Sequence, residues 1–437
     1  MDLNGLLGEK GIKTGDLVRV RAKNQIVEGY VMPSTEAEKG MLVLKLKSGY
    51  NLGLKQENIE GIEKLIESKV PGIPKPVELK SKPELPVISV LHTGGTIASR
   101  IDYSTGAVYA SFKPEDLVSL VPEIQDIANI KTKQVMNIMS EDLRFRHYAK
   151  IAEAIKEEIG SGVKGIILGH GTDTMHFTSA ALSFIFENLP VPVILVGAQR
   201  STDRGSSDAA MNLICAAEFI KQTDFAGIAI CMHENTSDNN CLILPGTKAR
   251  KLHTSRRDAF KPVNAEAIAR VNYDSRKVEF LQKDYPKATK KELVVRNGFE
   301  EKVALLKTHA NMNAEQFSFF EEKGFKGLVI EGTGLGHAPV GDEPESKKIL
   351  EAIKSLNDKG CTIVMTSQCL YGRTNMTVYT NLRRLVNAGV IPGEDMLPET
   401  AFIKLAWLLG NYSPEEAKKL VGKNLRGEIS ECSRELF

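Results

Sequence analysis

The chain has 437 residues, 42% hydrophobic and 26% charged, the balance of a soluble globular protein too long for a single core, so two or three domains are expected. Its 57 lysines and arginines against 55 aspartates and glutamates leave a formal charge of +2, which argues neither for nor against an RNA partner, because a basic footprint can be local. The first nine residues lack the basic start and apolar core of a secretory signal, and no apolar run approaches the ~20 residues a membrane-spanning helix needs, so a cytoplasmic protein with no membrane partner is expected.

Residues 1–70 read as a small β-rich module. Apolar and charged residues alternate over 17–21 and again over 41–46, a run at 26–31 follows a turn at Lys23 and Asn24, and Gly49 opens another. Short strands with such punctuation predict a small N-terminal β-barrel domain, with a short helix over 57–68. Residues 71–86 carry five prolines (Pro71, Pro74, Pro76, Pro83, Pro86) among lysines and glutamates, the composition of a stiff, extended linker.

From Val87 the pattern turns to strand, turn and helix in repetition. Strands are expected at 87–91, 135–138, 165–168, 191–196 and 226–232, with helices beginning at Pro114 and spanning 143–159, 175–188 and 208–220. After an irregular stretch at about 260–300, strands at 303–306, 327–330 and 362–365 alternate with helices. The alternation predicts an α/β fold: a large domain over 87–295 and a smaller C-terminal domain over 296–437, with parallel sheets covered on both faces. Six cysteines (Cys215, Cys231, Cys241, Cys361, Cys369, Cys432) show no CxxC spacing and are expected to be inert thiols in a reducing compartment. No HExxH or Cys/His ligand spacing occurs, so no catalytic metal is expected.

Two phrases carry chemistry: His-Thr-Gly-Gly-Thr-Ile-Ala-Ser from His92 to Ser99, and Gly-His-Gly-Thr-Asp-Thr-Met from Gly169 to Met175. Each follows an apolar run, opens a glycine turn and delivers a threonine hydroxyl, Thr96 or Thr172. Loops at the carboxyl ends of two strands can converge at the lip of one sheet, where open α/β folds place their sites. Hydrolysis of an unactivated amide needs a nucleophile, a base and donors for the oxyanion. Asp173 follows Thr172 directly, and Thr-Lys-Ala-Arg-Lys-Leu-His-Thr at 247–254 offers three cations, Lys248, Arg250 and Lys251, among which the residues alone leave the choice open. Neighbouring cations make a lysine easier to deprotonate. The phosphate-cradle spacings GxxxxGK[ST] and GxGxxG are absent. Thr93, His92 and His170 are expected to pack or hydrogen-bond at strand ends.

Thr-Gly-Gly-Thr-Ile-Ala and His-Gly-Thr-Asp-Thr-Met resemble, in the right order, the two signatures of the asparaginase/glutaminase family, and the resemblance covers about residues 86–430. It implies an asparaginase-like two-domain body, with Thr96 as nucleophile, Thr172 and Asp173 as the second-motif threonine and acid, and a lysine completing a Thr-Asp-Lys group. Lys251 fits that lysine's context, with Lys248 the fallback. Met139-Ser140-Glu141-Asp142 resembles the substrate-binding segment, so that Ser140 would hold the α-carboxylate and Glu141 with Asp173 the α-amine. Residues 99–112 resemble the lid, with Gly106 as hinge and Tyr103 and Tyr109 as candidate substrate contacts. A small β-rich module, a proline linker and this body together resemble the D-subunit family of archaeal glutamyl-tRNA(Gln) amidotransferases. The resemblance implies a glutaminase acting on L-glutamine, with no cofactor of its own. A partner E subunit would use the ammonia with ATP and Mg to convert Glu-tRNA(Gln) to Gln-tRNA(Gln), in a D2E2 heterotetramer built on a homodimer of this chain. The alternative is a stand-alone L-asparaginase/glutaminase with an appended N-terminal domain.

Overall fold

The computed structural model describes residues 3–23, 25–32, 40–46, 51–66, 81–94, 99–101, 108–110, 121–200 and 207–433. In the strand Leu17–Ala22, Val18, Val20 and Ala22 are buried while Arg19 and Arg21 face solvent, the period-2 alternation of a sheet with one covered face. Five antiparallel strands form this sheet, in the order Asn51–Lys55, Met41–Lys45, Gln25–Val31, Leu17–Ala22, Ile59–Ile66, around a core of Val18, Val20, Val27, Leu42, Leu44 and Ile62. One expectation needs correction. The helix expected at 57–68 is a single 3-10 turn, Gln56–Asn58, followed by the strand Ile59–Ile66; residues 67–68 lie outside the described residues. Pairing with Leu17–Ala22, which sets Ile62 opposite Val20, supplies ladder bonds and burial that outweigh local helical preference. The barrel is not seen to close: the edge strands Asn51–Lys55 and Ile59–Ile66 do not pair with each other among the described residues. Gln25–Val31 pairs with Leu17–Ala22 over residues 25–30 and, among the described residues, with Met41–Lys45 at Tyr30 and Val31.

Residues 67–80, which include the front of the proline-rich linker, lie outside the described residues. The linker's end is clasped to the next domain: the Lys82 amide donates to Asn129 Oδ1 at 2.9 Å, and Asn129 Nδ2 donates to the carbonyls of Lys82 and Leu85.

The large domain is built on eight strands in the order Val278–Phe280, Ala269–Asn272, Asn240–Pro245, Ile228–His233, Val193–Val196, Gly165–Gly169, Val87–His92, Asn129–Gln134. The five from Ile228–His233 to Asn129–Gln134 are parallel, and the other three are antiparallel, so the sheet is mixed rather than wholly parallel. The strand expected at 135–138 lies earlier, at Asn129–Gln134, where register with Val87–His92 provides the ladder. The helix expected from Pro114 falls outside the described residues up to 120; a 3-10 segment, Pro122–Asp126, follows. Central strands are buried on both faces. Leu91, Ile166, Leu168, Val193 and Leu195 pack with the helices Phe145–Gly160 and Met175–Ile185, while Ile88, Val90, Ile167, Ile194 and Val196 pack with Ala209–Gln222.

The C-terminal domain carries four parallel strands, Val303–Lys307, Gly327–Gly332, Thr362–Ser367 and Ile391–Pro392. Its helix Pro398–Asn411 begins with proline at its first position and lies between the two domains, sharing the large domain's core. Trp407 stacks on Phe184 at 5.6 Å and donates Nε1–H to the Arg296 carbonyl. Lys404 and Glu428, both fully buried, pair at 2.6 Å.

Candidate active site

Parallel register between neighbouring strands brings the two threonine-bearing loops together. Val87–His92 and Gly165–Gly169 are adjacent, with His92 opposite Gly169, so both chains leave the sheet side by side. The Thr93 amide donates to the Gly169 carbonyl at 3.0 Å, its hydroxyl reaches the same oxygen at 3.3 Å, and the Thr93 carbonyl accepts from Ile138. Thr93 is therefore bound into the base of the turn. Gly94 has φ +107°, and a Cβ there would lie 2.8 Å from the Ile138 backbone, so only glycine fits. Thr96 and Tyr103 lie outside the described residues. Tyr109 belongs to the strand Val108–Ala110, paired with Ser99–Ile101, but its side chain lies outside them.

The second loop carries Thr172 and Asp173, and Lys251 meets both. Lys251 Nζ donates to Thr172 Oγ1 at 2.9 Å and pairs with Asp173 Oδ1 at 2.7 Å. It arrives on the hairpin of Ala249–Lys251 and Phe260–Pro262, in which Lys251 faces Phe260. Lys248, three residues earlier, turns the other way and pairs with Asp395 at 2.6 Å in the interior, where burial pushes its ammonium below the usual lysine range against the pull of Asp395. Arg250 pairs with Glu399, and the remaining cations of the cluster are engaged with Asp258 (Arg256) and Asp238 (Arg257). The three cations left open by the sequence are thus sorted by where the hairpin points each one.

Ser140 opens a 3-10 turn, Ser140–Asp142, and is buried against this loop, while Glu141 is exposed. Sequence reasoning missed the residues that hold these parts in contact. Thr174 Oγ1 donates to the Ser140 carbonyl at 2.6 Å. A Cβ on Gly171 would meet Ser140 Cβ at 2.8 Å, and one on Gly197 would meet Thr172 Cγ2 at 2.6 Å. Gly197 follows the third central strand, so the rule that found the first two loops could have found it. His170 Nδ1 lies 2.6 Å from the Gly171 carbonyl, which can only accept, so Nδ1 carries the proton and Nε2 accepts from Thr178 at 2.8 Å. Burial holds this imidazole neutral, its pKa pushed down to about 4; it fixes the loop's conformation, as expected of a strand-end histidine.

A hydroxyl, an amine and a carboxylate thus meet at the carboxyl edge of a sheet, beside a glycine turn, an arrangement that can move a proton during acyl transfer. The asparaginase N-terminal model matches residues 87–285, the glutaminase/asparaginase C-terminal domain model matches 302–421, and the GatD N-terminal domain model matches 12–65. The chain is 49% identical over 437 residues to the D subunit of the glutamyl-tRNA(Gln) amidotransferase of Pyrococcus furiosus, covering 98% of each protein. It is 47% identical over 421 residues to that of Methanococcus maripaludis, covering 95% of this chain and 98% of the relative. The thermostable L-asparaginase from Thermococcus kodakarensis superposes with a TM-score of 0.71 at 31% identity, over 79% of this chain and 100% of that one. The chain belongs to the asparaginase/glutaminase family and, within it, to the family of glutamyl-tRNA(Gln) amidotransferase D subunits.

Proposed function

We propose that this chain is the glutaminase subunit of a tRNA-dependent amidotransferase, hydrolysing L-glutamine to glutamate and ammonia. Full-length similarity to named D subunits supports the assignment, and the single structural observation that carries the chemistry is Lys251 bridging Thr172 and Asp173. Thr96 attacks the side-chain carboxamide carbon. Its proton passes through the Thr172 hydroxyl to the Lys251 amine, which Asp173 orients. Backbone N–H groups of the glycine turns face the developing oxyanion. The amide nitrogen takes up a proton and leaves as ammonia; water then cleaves the Thr96 ester and releases glutamate. Ser140 holds the substrate's α-carboxylate, Glu141 and Asp173 hold its α-amine, and Tyr103 or Tyr109 closes over it.

In this reading the chain needs no cofactor. A partner E subunit consumes the ammonia with ATP and Mg on Glu-tRNA(Gln), within a D2E2 assembly in the cytoplasm. Among the described residues no helix is long and apolar enough to cross a membrane. The N-terminal sheet is read as a small barrel, supported by five short antiparallel strands that share one apolar core.

The test compares ammonia release from glutamine and asparagine, with and without the co-expressed partner subunit and Glu-tRNA(Gln). Glutamine turnover that rises with partner and tRNA is expected. Strong preference for asparagine at a rate indifferent to both would instead identify a stand-alone asparaginase, a reading favoured by the fold match to L-asparaginase. The two substrates differ by one methylene, worth only about 1–3 kcal/mol in a pocket.

A further inference from the structure

Lys251 is delivered by a hairpin whose root is held by the other domain. The Thr247 carbonyl accepts from Thr400 Oγ1 at 2.8 Å, Lys248 pairs with Asp395 at 2.6 Å, and Arg250 Nη2 pairs with Glu399 Oε1 at 2.6 Å. Glu399 and Thr400 sit in the first turn of Pro398–Asn411, and Asp395 just precedes it. On the returning side, Asn264 Nδ2 donates to the carbonyls of Leu370, Gly372 and Asp395, and its Oδ1 accepts from the Gly372 amide. Asp395 also accepts from the Ser430 amide at 2.9 Å, which adds the C-terminal tail to the same knot. Every one of these holding groups is C-terminal-domain sequence. Among the described residues none of them is a hydrogen-bond or ion-pair partner of Thr172 or Asp173, which meet Lys251.

The side chains alternate along the root strand. Arg250 points to the C-terminal domain and Lys251 to the threonine loop, so anchoring one residue aims the next. An amine placed 2.9 Å from a hydroxyl tolerates little error, since a displacement of about 1 Å costs on the order of a hundredfold in rate.

We infer that Asp395 and Glu399 are positioning residues: through Lys248 and Arg250 they make the C-terminal domain set where the Lys251 amine sits. The inference rests on the reading of Lys251 as part of the amide-hydrolysing group, and it predicts that loosening the root lowers turnover without weakening glutamine binding.

The experiment uses the full chain, with its co-expressed partner, in three variants: Glu399→Gln, Asp395→Asn and the milder Thr400→Val, which removes one hydrogen bond without uncovering a charge. Glu399→Gln is expected to lower kcat for glutamine about tenfold with KM within twofold, and Thr400→Val about threefold. Lysine acetylation by an N-hydroxysuccinimide ester, followed by mass spectrometry, reads the amine directly. Lys251 should label at least threefold faster in Glu399→Gln than in the wild type, with the exposed Lys277 as internal reference. Unchanged Lys251 labelling and unchanged kcat in folded Thr400→Val and Glu399→Gln would overturn the inference. Faster labelling in a protein with no amidase activity would uphold the positioning and sink the catalytic reading instead. If Asp395→Asn fails to fold, the other two variants decide.

Discussion

Replacing Lys251 and Lys248 in turn by methionine should separate rate from stability. Both are lysines of one hairpin, three residues apart, and both face a carboxylate at close range. Their surroundings differ: the Lys248 and Asp395 side chains are 3% and 2% exposed, those of Lys251 and Asp173 are 11% and 65%. A half-exposed ion pair contributes under about 1 kcal/mol, and methionine keeps the apolar stem, so Lys251→Met should unfold at nearly the wild-type urea concentration. It removes the amine on Thr172, and loss of a positioned proton carrier should cost about a thousandfold in kcat, ~4 kcal/mol of barrier. Lys248→Met strands Asp395 in the interior with the Ser430 amide at 2.9 Å and the Arg373 guanidinium at 3.9 Å. Breaking a buried pair in this way costs about 3–5 kcal/mol of stability. Its effect on kcat, transmitted through the hairpin, should be closer to tenfold. The assays are coupled ammonia release at saturating glutamine and urea unfolding followed by circular dichroism. A Lys248→Met protein of normal stability and negligible turnover, beside an active Lys251→Met protein, would refute the assignment.

Glycine substitutions test the packing of the site. Gly197→Ala places a methyl 2.6 Å from Thr172 Cγ2 and should lower kcat by about a hundredfold, whereas Gly171→Ala, 2.8 Å from Ser140 Cβ, should chiefly raise KM for glutamine; Gly160→Ala, with nothing within 4 Å, is the control and should leave both unchanged. Acid should weaken the fold through His170 and His176, whose pKa values burial lowers to about 4 and about 3. The unfolded chain binds a proton at each near pH 6.5 and the folded chain does not, so stability is full above that value and falls as the pH drops toward 4. Between pH 7 and pH 5 the loss is about 2 kcal/mol per histidine, and urea midpoints that do not move over this range would contradict it. The chain's one tryptophan, Trp407, is buried between the domains against Phe184. Its fluorescence should be blue-shifted in the native protein, and Trp407→Ala should cost about 3–5 kcal/mol in the same urea titration.

The site's frame was legible because it is local. An apolar strand and a glycine turn recur after Val87 and after Gly165, and parallel pairing of adjacent strands is enough to bring the Thr93 and His170 loops together. Elements went wrong where pairing partners decide the outcome. Residues 59–66 became a strand because Leu17–Ala22 was available to pair, and the strand expected at 135–138 moved to 129–134 to match Val87–His92. The residues expected to contact substrate from the lid, Tyr103 and Tyr109, and the expected nucleophile, Thr96, rest on the resemblance alone.

The sequence by itself determined the α/β alternation, the two hydroxyl-bearing loops and the family, since these follow from side-chain period and from residues adjacent in the chain. The residues alone left three cations open and the motif resemblance favoured Lys251; the tertiary structure decided which of them reaches Thr172 and Asp173. Lys251 reaches Thr172 across 79 residues of sequence and Lys248 reaches Asp395 across 147. Such choices depend on the direction in which a strand root is pinned by another domain, and no local pattern of apolar and charged residues encodes that direction.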